Sequence, residues 1–281
     1  MNSIAKVLRR QVGRVVKKPG APSWRVAVLS DDEKRSIPEA DFVSAKFDRD
    51  ASTPPSRMIV ILSTPRSGST YLCQLLHNAG LCTAHEYLQR EHYLPLLAER
   101  WGSLDGGRVQ PGRYIAALEG HRTSDSGVLG INLHGSHLQR FVAALPFCSA
   151  ENVKYVWLQR RDKLRQAVSF GIAKQTGQWS SEFGRSAGKQ YDFRHFSERL
   201  AMIHRHEDLV RAFIAGNEVA CDQICYEDLT ADPAAVVKAC FDIDIAGSLS
   251  GIDRPLQKQG DATNEDFVRR LAHDLFFGTG G

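Results

Sequence analysis

The chain has 281 residues, 42% hydrophobic and 24% charged, with a formal net charge of +4. That length can bury a sizeable core and suits one large α/β domain. The near-balanced charge, with no aromatic-interleaved basic stripe, argues against nucleic acid as a partner.

Residues 1–30 stand apart. Lys6, Arg9, Arg10, Arg14, Lys17, Lys18 and Arg25 are opposed by no acid, which leaves −3 on the rest of the chain. Ile4, Val7, Leu8, Val12, Val15 and Val16 recur at mostly helical spacing, and Pro19 and Pro22 follow. The pattern predicts a short amphipathic helix that contacts an anionic membrane surface through residues 1–18. It is too short and too charged to cross. A disordered basic tail fits the composition equally. The expected organisation is a basic extension and linker over 1–55, then one domain over 56–281.

Next comes the most informative stretch. The apolar run 58–62 reads as a buried strand and residues 70–78 as a helix. Between them stand Ser63, Thr64, Pro65, Arg66, Ser67, Gly68, Ser69 and Thr70. Unpaired N–H groups at a helix start face one way and form an anion site. Arg66 adds charge, Ser67, Ser69 and Thr70 add hydroxyl donors, and Gly68 lets the backbone come close. The nucleotide-triphosphate pattern G-x-x-x-x-G-K-[ST] is not met, because no Lys precedes Ser69-Thr70 and no earlier Gly is in place.

Residues 102–112 are glycine-rich and suggest a loop over an acceptor. Strand-like 128–133 leads to helical 137–145. Strand-like 154–158 ends in Arg160, Arg161 and Asp162, and Asp162 is placed to cap a helix over 163–175. Ser169 follows Arg161 by eight residues and reaches back from that helix. Two arginines at a strand end with such a hydroxyl make a second phosphate cradle. Residues 180–195 lack periodicity and read either as a mobile segment beside the acceptor or as an ordinary surface loop. Further helices are expected at 196–215, 233–241 and 264–275, and a strand at 219–226.

This alternation predicts an α/β fold, with a central parallel sheet flanked by helices on both faces. Ligands in such sheets bind beyond the carboxyl ends of the strands, where both cradles fall. The six cysteines, 73, 82, 148, 221, 225 and 240, include no C-x-x-C pair. With no secretory signal, they suit core thiols in a reducing cytoplasm. His134 and His137 form H-x-x-H, and His204 and His206 form H-x-H. Neither pair has an evident third ligand in the sequence, so no metal site is expected. Asp162 is the one strand-end carboxylate that could hold magnesium, and two arginines precede it.

The loop at 63–72 and the run from Arg161 to Phe170 resemble the bacterial trehalose 2-sulfotransferase-like family, which includes lipopolysaccharide and Nod-factor sulfotransferases. The resemblance runs from about Met58 to about Leu271, with further matches at 130–134, 175–179, 226–229 and 258–264. It implies a P-loop-like sulfotransferase fold and 3′-phosphoadenosine 5′-phosphosulfate (PAPS) as sulfuryl donor. By the same resemblance, residues Pro65 to Thr70 would hold the 5′-phosphosulfate. Arg161 with Ser169, with Arg160 as the neighbouring alternative, would grip the 3′-phosphate, and Lys258 and Gln259 could reach it. Glu86 stands at the position of the family's proposed base, in Ala84-His-Glu-Tyr-Leu88, with His85 as second choice. Arg66 takes the place of a loop Lys found in many sulfotransferases and would stabilise charge on the leaving phosphate. Asn132 stands where the family usually has Lys, which removes a charge near the site. The implied acceptor is a carbohydrate or glycolipid hydroxyl, no metal is needed, and related members are dimers. The rivals are a P-loop-type kinase and a non-catalytic nucleotide-binding or membrane-associated module.

Overall fold

The computed structural model describes residues 23–50, 53–179, 188–245, 247 and 262–278. The basic segment 1–18, and Lys258 and Gln259, therefore lie outside the described residues. In chain order the elements are α1 (Asp31–Arg35), β1 (Arg57–Ser63), α2 (Ser69–Asn78), α3 (Tyr93–Arg100), β2 (Leu104–Asp105), β3 (Arg108–Val109), α4 (Pro111–Arg122), β4 (Val128–His134), α5 (Leu138–Ala144), β5 (Asn152–Gln159), α6 (Lys163–Thr176), α7 (Phe193–Gly216), β6 (Cys221–Cys225), α8 (Tyr226–Ala231), α9 (Pro233–Phe241) and α10 (Ala262–Phe277).

A four-stranded parallel sheet runs in the order β4-β1-β5-β6. Its central strand β1 is buried from Met58 through Ser63, as a strand covered on both faces must be. Side chains alternate between the faces. Met58, Val60 and Leu62 pack with Leu94 and Leu97 of α3, Tyr114 and Leu118 of α4, Phe141 of α5 and Phe213 of α7. Ile59 and Ile61 pack with Leu72, Leu75 and Leu76 of α2 and with Val237 and Phe241 of α9. Full burial of one such side chain is worth about 1.5–3 kcal/mol, so the run 58–62 anchors the sheet. Trp24, Val26 and Val43 join the first cluster, so residues 23–50 pack against the same core. A third cluster ties α6, α7 and α10 together through Val168, Phe170, Phe196, Ile203, Phe267 and Leu271.

Register decides what meets at the carboxyl edge. Ser63 pairs with His134 across β1 and β4, and Gln159 pairs with Cys225 across β5 and β6. The chain leaves β1 for β4 on one side and then crosses to β5 on the other. The turn after β1 thus sits at the reversal of strand order, where such sheets bind ligands.

Two sequence expectations need correction, and one helix went unread. The glycine-rich 102–112 is a tight hairpin, β2 and β3, leading into α4, and not an open loop. Gly102, Gly106 and Gly107 serve its turns with positive φ, and Val109 N–H donates to Trp24 O at 2.9 Å. Helix α4 carried a readable signal, Pro111 in its first turn and a buried face of Tyr114, Ile115, Leu118 and Arg122. Within 180–195, residues 193–195 belong to α7, whose cap is Asp192, accepting from His195 N–H at 3.1 Å. Residues 180–187 lie outside the described residues.

Candidate functional site

The turn after β1 is shaped by two left-handed residues. Arg66 has φ 64° and Gly68, the residue before α2, has φ 94°. Ser67 N–H closes the turn onto Thr64 O at 3.1 Å. Gly68 is required twice. Its φ suits glycine, and a Cβ there would lie 2.3 Å from the Tyr226 ring. No side chain caps the start of α2, so its first N–H groups remain open to an anion. Ser67 and Ser69 are buried and Thr70 is exposed, while Pro65 and Arg66 are half-buried. Ser67 Oγ is buried with no hydrogen-bond partner among the described residues. A buried polar atom of that kind calls for a ligand or a water.

Gln166 pins this turn. Its fully buried amide donates to Thr64 Oγ1 at 2.7 Å and to Pro65 O at 2.8 Å. Sequence reading missed it. The available signal was one polar residue next to Ala167 and Val168 on the buried side of α6.

The second cradle is assembled differently from its sequence spacing. Ser169 Oγ accepts from Arg66 Nε at 2.9 Å, and Arg66 also donates to the Trp179 carbonyl. Arg160 donates to Arg66 O at 3.3 Å and stacks on Tyr226, 4.7 Å from the ring centre. Its Nε is buried without a partner among the described residues. Burial, and then the charge of Arg160, lower the Arg66 pKa to about 10. Two guanidiniums this close repel, and a bound anion relieves the repulsion. Arg161 turns the other way. It is largely exposed and paired with Asp228 and, at 3.7 Å, with Glu227. Burial opposes ionisation of Glu227, but hydrogen bonds from Cys225 Sγ and the Arg161 and Asp162 N–H groups outweigh it and lower its pKa to about 2. Asp162 caps α6 through Arg165 N–H at 2.9 Å and pairs with Arg165 at 2.8 Å, so its carboxylate is engaged.

Glu86 reaches the same edge from the segment beside β4. His85 bridges to Ile131, and Asn132 N–H donates to His85 O at 2.9 Å. His85 and Glu86 then diverge, as adjacent extended residues do. The His85 ring is half-buried and meets Asp41 at 3.2 Å. Glu86 is partly open and lies 3.3 Å from His134 Nδ1 at the end of β4. His134 also donates its backbone N–H to His137 Nδ1 at 3.1 Å. Burial, and then neighbouring positive groups, push the His137 pKa well below its ordinary value, so that ring is neutral. The sequence left H-x-x-H without a third ligand. The fold supplies one, because Glu86, His134 and His137 each place a donor atom within 4.8 Å of the others. His204 and His206 are on α7, where His204 is exposed near Glu207. Asn132 is buried and accepts from Ser63 Oγ at 2.8 Å, so a neutral pair links β1 and β4 near their carboxyl ends.

Two predictions follow from this geometry. Gly68→Ala loses about 1–2 kcal/mol to backbone strain and further stability by displacing Tyr226. Adding Tyr226→Ala restores the steric part only. Wild-type stability of Gly68→Ala in urea unfolding would overturn this account of the turn.

The Asp41–His85 pair gives a pH signature. Burial opposes both charges, yet mutual attraction raises the His85 pKa above 6.5 and lowers the Asp41 pKa below 3.8. The pair's contribution is complete between those ordinary values. It is lost as pH rises through the raised His85 pKa, and also as pH falls through the lowered Asp41 pKa. The difference in unfolding free energy between wild type and His85→Gln is therefore largest near pH about 5–6 and shrinks above it. A difference independent of pH rules the pair out.

Known proteins bear on this site. No curated protein matches the chain significantly. A solved sulfotransferase domain from the Synechococcus PCC 7002 olefin synthase is similar at 18% identity, covering 83% of this chain and 92% of that one with a TM-score of 0.48. The family model described as Stf0 sulphotransferase matches residues 58–274, a span that takes in the turn after β1, Glu86, His134, both arginines and Ser169. The chain belongs to the Stf0 sulphotransferase family.

Proposed function

We propose that this sulfotransferase moves a sulfuryl group from PAPS to a hydroxyl of a carbohydrate or glycolipid acceptor. One observation carries the reading. The Glu86 carboxylate is joined to His134, which pairs in register with Ser63, and the anion-binding turn begins at the next residue. A base and an anion cradle thus share one edge of the sheet.

The residues present fit a phosphosulfate group. The open start of α2, the unpartnered Ser67 Oγ and Arg160 Nε, and the two adjacent guanidiniums all favour an anion. Residues Pro65 to Thr70 would surround the phosphosulfate. Arg66, held by Ser169, would stabilise charge that grows on the leaving phosphate; removing one such donor typically costs about 10²–10³ in kcat. Arg161 would grip the 3′-phosphate once that phosphate displaces Asp228, with Lys258 and Gln259 as further candidates. Glu86 would take the proton of the acceptor hydroxyl, and His134 would orient the carboxylate. The acceptor class is the one that the resemblance to the trehalose 2-sulfotransferase-like family implies.

Six free cysteines support a reducing compartment, and among the described residues no helix is long and apolar enough to cross a membrane. A cytoplasmic location, contact of residues 1–18 with an anionic membrane, and a homodimer remain part of the proposal.

Calorimetric titration with 3′-phosphoadenosine 5′-phosphate, ADP and ATP tests the donor. The 3′-phosphate nucleotide binds tightest. Arg161→Ala removes that preference, whereas Arg160→Ala weakens all three ligands. ATP binding as tightly would favour the kinase or the non-catalytic module. In transfer of labelled sulfate to a sugar panel, Glu86→Gln lowers kcat by about 10²–10⁴ with nucleotide affinity unchanged. Full turnover in that variant removes Glu86 as the base.

A further inference from the structure

We propose that Glu86, His134 and His137 form a three-ligand site for a zinc-class dication, and that loading it takes the acceptor-activating carboxylate out of action. The binding site rests on ligand geometry alone. The inhibitory consequence rests on the reading of Glu86 as base.

The donor set fits the ion. Two imidazoles and one carboxylate with a fourth position open is a known zinc arrangement, whereas magnesium and calcium favour oxygen donors. Metal–ligand bonds of about 2.0–2.2 Å at tetrahedral angles separate neighbouring donors by about 3.4 Å. Glu86 Oε2 and His134 Nδ1 already stand 3.3 Å apart, and all three donors fall within 4.8 Å of one another.

The three residues are held by rigid parts of the fold. His134 ends β4, and His137 closes the 3-10 turn Gly135–His137 directly after it. Their rings stack at 5.3 Å with an angle of 23°. Gly135 lets α7 close over this turn, since a Cβ there would come within 2.7 Å of His206 O. His137 is 4% exposed, while the side chains of His134 and Glu86 are 12% and 21% exposed. The cluster is thus closed behind and open in front, which leaves the fourth position for water. His134 Nε2 is buried without a partner among the described residues.

Binding exchanges bonds already present. The ion replaces the 3.3 Å contact between His134 Nδ1 and Glu86 Oε2. It also replaces the His134 amide hydrogen bond on His137 Nδ1. Both exchanges make affinity weaker than that of a dedicated structural site.

The test uses the full-length, tag-free protein stripped by chelation and then titrated with zinc, with cobalt as a spectroscopic stand-in. The expected result is one equivalent of zinc and a cobalt d–d spectrum of four-coordinate intensity. Glu86→Gln and His134→Asn each weaken zinc binding at least tenfold, while His273→Asn, at an exposed histidine, leaves it unchanged. No stoichiometric binding overturns the proposal, and so does affinity unaltered in both Glu86→Gln and His134→Asn. His137→Asn is read only after its circular dichroism matches wild type. In the transfer assay, zinc inhibits competitively with the acceptor and not with the nucleotide, and a chelator reverses it. If zinc binds the cluster but Glu86→Gln leaves turnover intact, the base assignment fails and the metal site stands. If Glu86→Gln abolishes turnover but zinc does not bind, the metal site alone fails.

Discussion

The buried Gln166 amide ties the turn after β1 to α6. Its Nε2, with no access to water, donates to both Thr64 and Pro65, where a buried donor left unbonded would be costly. That tie sets where the turn leaves the sheet. From there the left-handed residues Arg66 and Gly68 direct the chain into α2, and the Tyr226 ring fills the space that a side chain at Gly68 would need. Tyr226 in turn supports the Arg160 guanidinium. One amide, one glycine and one ring therefore coordinate β1, α2, α6 and α8 around the anion cradle.

Strand register brings the second half of the site to the first. Parallel pairing aligns Ser63 with His134, and the segment carrying Glu86 docks beside β4 through the His85–Ile131 bridge. Adjacent extended residues face opposite ways, so the half-buried Asp41 captures His85 and leaves Glu86 at the open edge. The Ser63–Asn132 hydrogen bond adds a neutral floor beneath that edge. Charge is concentrated instead on the side of Arg66 and Arg160.

Much of this was legible in the sequence. The uninterrupted apolar run 58–62 reads as a buried strand, and its end in Pro-Arg-Ser-Gly-Ser-Thr marks a helix start open to an anion. Asp162 was readable as a cap because a short acceptor before an amphipathic run satisfies N–H groups locally, and the structure has that bond. The expected helix at 233–241, with Pro233 at its first position, is α9 with those limits. The hairpin at 104–109 was not legible, since two-residue strands are too short to display a period.

The sequence by itself determined the elements whose causes are local: apolar periodicity, caps, and a glycine where φ must be positive. Tertiary structure alone decided which distant groups meet. Arg160 and Arg161 are indistinguishable as neighbours in sequence, yet one faces the cradle and the other faces Asp228, because the strand end turns successive side chains apart. His134 and His137 had no third partner until the sheet brought Glu86 across from another segment. Such meetings depend on strand order and register, which arise from packing the whole core and leave no mark on the residues that meet.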